Sequence, residues 1–264
     1  MPTNIHASAI VSTGAKIGNN VQIGPYCIIG DHVTLHDDTT LMSHVVIDGR
    51  TEVGEGTKIY PFACIGTPPQ SRQHETSPDA RLIIGKHNII REYVTMQPGT
   101  EKDGLITTVG DHGLFMANSH VAHDCHIGNH VIMANCATIA GHVTVGDHAT
   151  LGGLSAVHQF VHIGHHAFIG GTAGITNDII PYAMVLGKKD GLAGLNLVGL
   201  KRMGVPRETI QEMVSAYNEL FSDEDTLLER KTRVAEKYKH NSYVMDILNF
   251  INQDSKRSIS LPAA

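Results

Sequence analysis

A mainly β chain, folded as a parallel β-helix of hexapeptide repeats and followed by a C-terminal α-helical domain, is what this sequence predicts. The first observation is a six-residue aliphatic beat: Ile5, Val11, Ile17, Ile23, Ile29, Leu35, Leu41, Ile47, Val53, Ile59, Ile65. It returns at Ile84, Ile90 and Met96, then runs from Val109 through Phe115, Val121 and onward by sixes to Ile175. The second is a small or β-branched residue two before the beat, as at Ala9, Val21, Cys27, Cys125 and Ala137. The third is a frequent glycine just after it, as at Gly18, Gly24, Gly110 and Gly128. Residues two apart in a strand share a face, so both members of each hexad point inward. Glycine then supplies turn conformations that other residues resist. Three hexads make one triangular coil, and only stacked coils bury a continuous column. A period of six matches neither a helix nor a heptad.

The phase of the beat places the elements in order. A β-helical domain is expected over 1–187, with loops near 67–82 and 97–108 where the beat breaks. From Ile65 to Ile84 the step is 19 residues, one more than a coil; from Met96 to Val109 it is 13, one more than two hexads. After Ile175 the beat ends, and Pro181 with the stretch 187–191 reads as a linker into a helical domain over 188–264. There, Leu192 to Met203 is a candidate helix. Pro206 opens a second with Ile210, Met213, Val214, Tyr217 and Leu220 at helical spacing. Asp223-Glu224-Asp225 places acid at the positive end of another. Tyr243 to Phe250 begins the last, and the tail after Asp254 is expected to fray.

Composition narrows the function. A net charge of −6 argues against a general nucleic-acid binder. The sequence has no apolar run long enough to span a membrane and no leader pattern after Met1-Pro2, so no stable membrane insertion and a cytoplasmic location are expected. Four cysteines without paired spacing suggest neither a disulfide framework nor a metal site. The absence of Trp and 5% aromatic content suit an interior that takes only thin side chains.

Of 18 histidines, His32, His36, His112, His130 and His148 fall at corners, where a polar residue is expected in any case. The informative segment is His120-Val121-Ala122-His123-Asp124-Cys125-His126, with Gly141-His142 and His158-Gln159. An 18-residue coil stacks His123, Gly141 and Gln159 on one edge and puts His142 over Asp124 and Phe160 over His142. Coil spacing is about 4.8 Å. Imidazoles beside a carboxylate suit acyl transfer to a hydroxyl: the imidazole takes the proton and returns it to the leaving group, and the carboxylate fixes the tautomer. A central glycine lets a substrate approach backbone N–H. Adjacent strand residues point to opposite faces, but a corner relaxes that objection for His123 and Asp124. Metal binding through His120, His123 and His126 is the rival. Strand alternation disfavours convergence of those three, and no histidine pair is five apart as in the γ-class carbonic anhydrases, so no metal is expected.

With these motifs in order, together with Gly199-Leu200-Lys201-Arg202, the chain resembles the UDP-N-acetylglucosamine acyltransferase family over essentially its whole length. The resemblance implies a left-handed β-helix and a homotrimer with sites at subunit clefts. The implied reaction moves an (R)-3-hydroxyacyl group from acyl carrier protein to the sugar 3-hydroxyl, opening lipid A synthesis, with no cofactor beyond that donor. By position, His123 resembles the general base, Asp124 its orienting partner and Gly141 the oxyanion donor. Gln70, His120, His142, His158 and Gln159 resemble residues lining the sugar and acyl clefts, and Asn196 and Arg202 resemble those holding the nucleotide. Lys188, Lys189, Lys201, Arg202 and Arg207 are candidates for a landing patch for acidic carrier protein. Three departures bear on the acceptor. The first loop reads Gln70-Ser71-Arg72-Gln73 where the family usually has Gln-Asp-Leu-Lys, Val198 replaces a usual Glu, and Met203 a usual Arg. A 3-amino sugar nucleotide is therefore an alternative acceptor. An acetyl-CoA-dependent sugar-nucleotide N-acetyltransferase is an alternative of another class, and a non-catalytic assembly scaffold a third reading.

Overall fold

A computed structural model describes residues 2–70, 77–101, 104–187 and 191–263. Short, mostly two-residue strands pair in parallel into three sheets, which close a triangular prism. Where the beat is regular, partners are 18 residues apart, as in Ile23↔Leu41, Val121↔Ile139 and Ile127↔Val145. Beat residues from Ile23 onward fill a buried, mostly aliphatic column together with the neighbours two positions earlier. Fully burying each large one stabilises the stack by about 1.5–3 kcal/mol. Among the described residues Phe115 is the one aromatic at a beat position, and it is fully buried. It fits because Gly113 stands two residues before it: a Cβ there would lie 2.6 Å from the Phe115 ring.

The two breaks differ from the expectation of near-whole coils. Val53 pairs with Ile84 and Ile84 with Val109, separations of 31 and 25 against the regular 18. Each break is thus one ordinary strand-to-strand step carrying 13 or 7 extra residues. Both excursions leave the second sheet, after Ile65 and Met96, and rejoin the third, at Arg81 and Ile106. They emerge from the same edge of the prism on successive coils. The next turn around that edge is Ala122–Cys125.

The prism continues past Ile175, because Ala183–Val185 pairs in parallel with Phe168–Ile169 after a coil shortened to 16 residues. The segment expected as a helix from Leu192 begins instead as a strand, Leu192–Leu195, antiparallel to Ala183–Val185, with Leu192 and Leu195 buried. Only Leu197–Arg202 (α1) is helical, and the Asn196 side chain caps it by accepting from Gly199 N–H. Arg207–Leu220 (α2) follows Pro206 as expected. Leu227–Lys237 (α3) starts after the acidic run rather than at it. Thr226 and Glu229 form a reciprocal capping box there, which the acids at 223–225 cannot supply. Ser242–Ile251 (α4) docks on the prism through the Tyr182 hydroxyl, which donates to Asp246 at 2.8 Å. The tail does not fray. Asp178 N–H donates to Ser258 O and Ser260 N–H to Asp178 O, and Leu192 N–H donates to Leu261 O, laying the tail along the end of the prism.

Candidate active site

The edge between the second and third sheets gathers most of the expected side chains. His123 and Asp124 are adjacent in sequence, yet His123 Nδ1 lies 2.8 Å from Asp124 Oδ2. Backbone conformation makes this possible. Asp124 has φ +58°, the left-handed corner conformation, so the side chains no longer alternate. Asp124 tolerates it because asparagine and aspartate enter that region more readily than other non-glycine residues. The next corners, His142 and Phe160, share it at φ +63° and +65°. Their rings stack at 4.5 Å and 10°, and His142 meets His123 edge-on at 5.0 Å. His142 Nδ1 stands 3.9 Å from Asp124 Oδ2.

Asp124 is 3% exposed, and its carboxylate is held from three directions. Thr100 N–H donates to Oδ1 at 2.8 Å, the Thr100 hydroxyl to Oδ2 at 2.6 Å, and His123 to Oδ2. The Thr107 hydroxyl accepts from Asp124 N–H at 2.8 Å. Burial alone would raise its pKa, but the bonds from His123 and Thr100, with His142 nearby, outweigh burial and leave the carboxyl below its ordinary value. It is therefore an anion that can only accept. His123 Nδ1 must donate, and the lone pair lies on Nε2, the nitrogen a general base uses. Thr100 belongs to the second excursion and Thr107 to the strand that excursion rejoins, so the loop cradles the carboxylate while the strand holds the corner's amide.

Gly141 sits directly above the imidazole. A Cβ built there would lie 2.5 Å from Cε1 and 2.8 Å from Nε2 of His123, so no side chain fits. Among the described residues, the Gly141 N–H meets no acceptor. An unencumbered amide beside a basic nitrogen is the arrangement an oxyanion requires. Cys125, one residue beyond Asp124, is no rival nucleophile, since burial pushes its thiol up to about 12.

The remaining candidates divide. His120 lies on the adjoining face, its Nδ1 2.7 Å from the Thr95 hydroxyl, and burial, then the nearby His123, lowers its basicity. Gln70 reaches the same edge from the first excursion, its N–H donating to Gln97 Oε1 at 3.1 Å. His158 and Gln159 occupy the next coil and are met by Arg257 from the tail. A cavity of about 260 Å³ opens there, lined by His142, Phe160, His162, Asp254, Ser255 and Lys256. A larger hollow of about 860 Å³ lies between the helices and the tail, and neither His123, Asp124 nor Gly141 lines it. Asn196 and Arg202 are not on the His123–Asp124 edge of the same chain. Asn196 donates to His166 O, at the corner where His87, His112, His130, His148 and His166 stack ring upon ring, and Arg202 is exposed in the last turn of α1. Ser71, Lys188 and Lys189 lie outside the described residues.

The triplet His120, His123 and His126 does not converge, since His126 faces Thr108 on the third sheet. The donor atoms that do gather within 4.8 Å are those of His123, Asp124 and His142. Both carboxylate oxygens in that group already accept hydrogen bonds, which suits a proton relay better than a ligand set.

Comparison with known proteins agrees with this architecture. Residues 178–260 match the family model described as UDP N-acetylglucosamine O-acyltransferase, domain 2. The acyl-[acyl-carrier-protein]--UDP-N-acetylglucosamine O-acyltransferase of Rickettsia prowazekii is 53% identical over 97% of each chain, and that of Caulobacter vibrioides is 50% identical over 98% of each. A crystal structure of a UDP-N-acetylglucosamine acyltransferase matches with a TM-score of 0.93 at 38% identity, covering 99% of this chain and 100% of the other. The Acinetobacter baumannii structure gives a TM-score of 0.90 at 37% identity, over 97% and 98%. The prism is accordingly the left-handed parallel β-helix of these proteins. The chain belongs to the acyl-[acyl-carrier-protein]--UDP-N-acetylglucosamine O-acyltransferase family.

Proposed function

We propose that this protein transfers an (R)-3-hydroxyacyl chain from acyl carrier protein to the 3-hydroxyl of UDP-N-acetylglucosamine, the first step of lipid A biosynthesis, with His123 as general base. The observation that carries the chemistry is the Thr100–Asp124–His123 relay beneath Gly141. His123 Nε2 takes the proton of the sugar hydroxyl as its oxygen attacks the thioester carbonyl. The carbonyl oxygen gathers negative charge and accepts from Gly141 N–H. Collapse expels the carrier's thiolate, which takes the proton back from His123. Asp124 stays ionised throughout and stabilises the imidazolium. No redox or group-carrying cofactor enters this balance, so acyl carrier protein is the only donor required. His120, His142, His158, Gln159 and Gln70 line the approach to this centre.

Asn196 and Arg202 serve the nucleotide on this reading, and their position at another corner suits a site completed by a neighbouring subunit. A homotrimer is supported by an unusual ladder on the remaining edge. Tyr26, His44, Phe62 and Tyr93 stack at 5.0 to 5.1 Å, with Tyr26 60% and Tyr93 54% exposed. An apolar ridge of this kind on a soluble prism marks a contact surface. Among the described residues no helix is long and apolar enough to cross a membrane, which accords with action in the cytoplasm. Lys201, Arg202 and Arg207 remain as a cationic landing patch for the carrier.

The test is turnover by purified protein offered (R)-3-hydroxyacyl carrier protein or acetyl-CoA, with UDP-N-acetylglucosamine or its 3-amino analogue. O-acylation from carrier protein supports the assignment, and acetyl transfer from CoA overturns it. The His123–Asp124 relay favours the hydroxyl acceptor, since a neutral amine needs a base less. A higher kcat/KM for the amine would reassign the acceptor to the 3-amino sugar. Light scattering should give three times the chain mass of 28.5 kDa, and an active monomer would contradict a shared site.

A further inference from the structure

Along the catalytic edge, backbone amides of one coil cap carbonyls of the coil before it: His142 N–H donates to His123 O at 3.0 Å and Phe160 N–H to Gly141 O at 3.2 Å. At Gln159 the next donor is not a backbone amide. Arg257, delivered by the anchored tail, donates from Nε to Gln159 O at 2.9 Å and from Nη2 to His158 Nδ1. One planar guanidinium thereby spans this coil of the edge, a fit that lysine cannot reproduce. Its neighbour Lys256 holds its ammonium 4.1 Å above the Phe160 ring, which stacks on His142. The tail thus forms one wall of the cavity beside the catalytic pair.

We propose that Arg257 is a positioning residue of this site, fixing His158 in the tautomer that presents Nε2–H to an oxygen of the bound substrate. The reasoning is one of donors. A guanidinium has no acceptor, so the imidazole nitrogen it meets carries the lone pair and the proton resides on Nε2. An exposed, unsupported histidine would exchange tautomers and orientations, and an oxygen ligand would bind the donor form only part of the time. The inference rests on the reading of this edge as the acyl-transfer site.

Two measurements test it on the full-length protein. Two-bond proton–nitrogen correlation spectra of histidine-labelled protein should show His158 with an unprotonated Nδ1 and a protonated Nε2. Arg257→Gln and Arg257→Lys should each mix the tautomers, and one variant suffices if the other does not fold. In steady-state assays Arg257→Gln should lower kcat/KM roughly tenfold, the scale of losing one hydrogen bond to a charged donor. The same change in a His158→Ala background should add nothing, since both act through one imidazole. An unchanged His158 tautomer in the Arg257 variants, or additive losses in the double variant, would overturn the positioning role. Full activity in His158→Ala alone would overturn it differently, by removing His158 from the site while leaving the His123 relay standing.

Discussion

Gly141→Ala isolates the link between the glycine and the imidazole. Gly141 does not have positive φ, so alanine fits its backbone and the effect is purely one of space. The new methyl would stand 2.5 Å from His123 Cε1, where ordinary contact begins near 3.4 Å, so the ring must withdraw by about 1 Å. It cannot do so freely, because Nδ1 is bound to Asp124 at 2.8 Å and Asp124 is itself bound by Thr100. A displacement of that size at a reacting group costs about 10²-fold, or roughly 2.7 kcal/mol of barrier. The methyl also crowds the approach to the Gly141 amide, so about 10² is a lower limit. Acyl transfer from carrier protein, followed by product formation under saturating donor, measures it, with a thermal melt to establish folding. A folded Gly141→Ala protein with kcat/KM within about threefold of the parent would refute the placement of His123 beneath an oxyanion amide.

Two further outcomes follow from the same geometry. Thr100→Val keeps the shape of the side chain but removes the hydroxyl that donates to Asp124 Oδ2. A hydrogen bond to a charged group contributes about 1.5–3 kcal/mol, so both melting temperature and kcat should fall, and no change in either would contradict the cradle. His166, at the end of the stacked imidazoles, is pushed down to about 4 by burial first, then by His148 and His165. Its unfolded value is about 6.5, so between those limits the unfolded chain binds the extra proton. Its contribution to stability is therefore complete above about 6.5 and is lost as pH falls toward about 4. The melting temperature should drop across that window, and His166→Phe should flatten the drop. An identical pH profile in that variant would exclude His166 as its source.

The prism is legible because its signal is redundant: each beat residue restates the period, and a one-coil sum places His142 over Asp124 and Gly141 over His123. The contact between His123 and Asp124 needed more than period. It depends on φ +58° at Asp124, a property of the corner and not of residue type. Thr100 and Thr107 escape the periodic signal because the second excursion reads as one extra residue over two hexads. Phase alone could have found them, since Ile65, Met96 and Val121 fall on the same sheet and both excursions leave from the histidine edge. In the helical region, local patterns misled where longer-range pairing decided. Leu192–Leu195 is a strand because Ala183–Val185 offers it an edge, and the tail is ordered by Asp178 and Leu192, partners distant in sequence.

The central claim is that His123 accepts the acceptor's proton. It is tested most directly by His123→Ala, assayed for turnover with (R)-3-hydroxyacyl carrier protein and UDP-N-acetylglucosamine and for equilibrium binding of the sugar nucleotide. Removing a general base should lower kcat by about 10²–10⁴-fold. His123 is 7% exposed, yet it sits at a corner outside the aliphatic column, so the melt and the binding constant should change little. A folded variant that turns over near the parent rate would contradict the account.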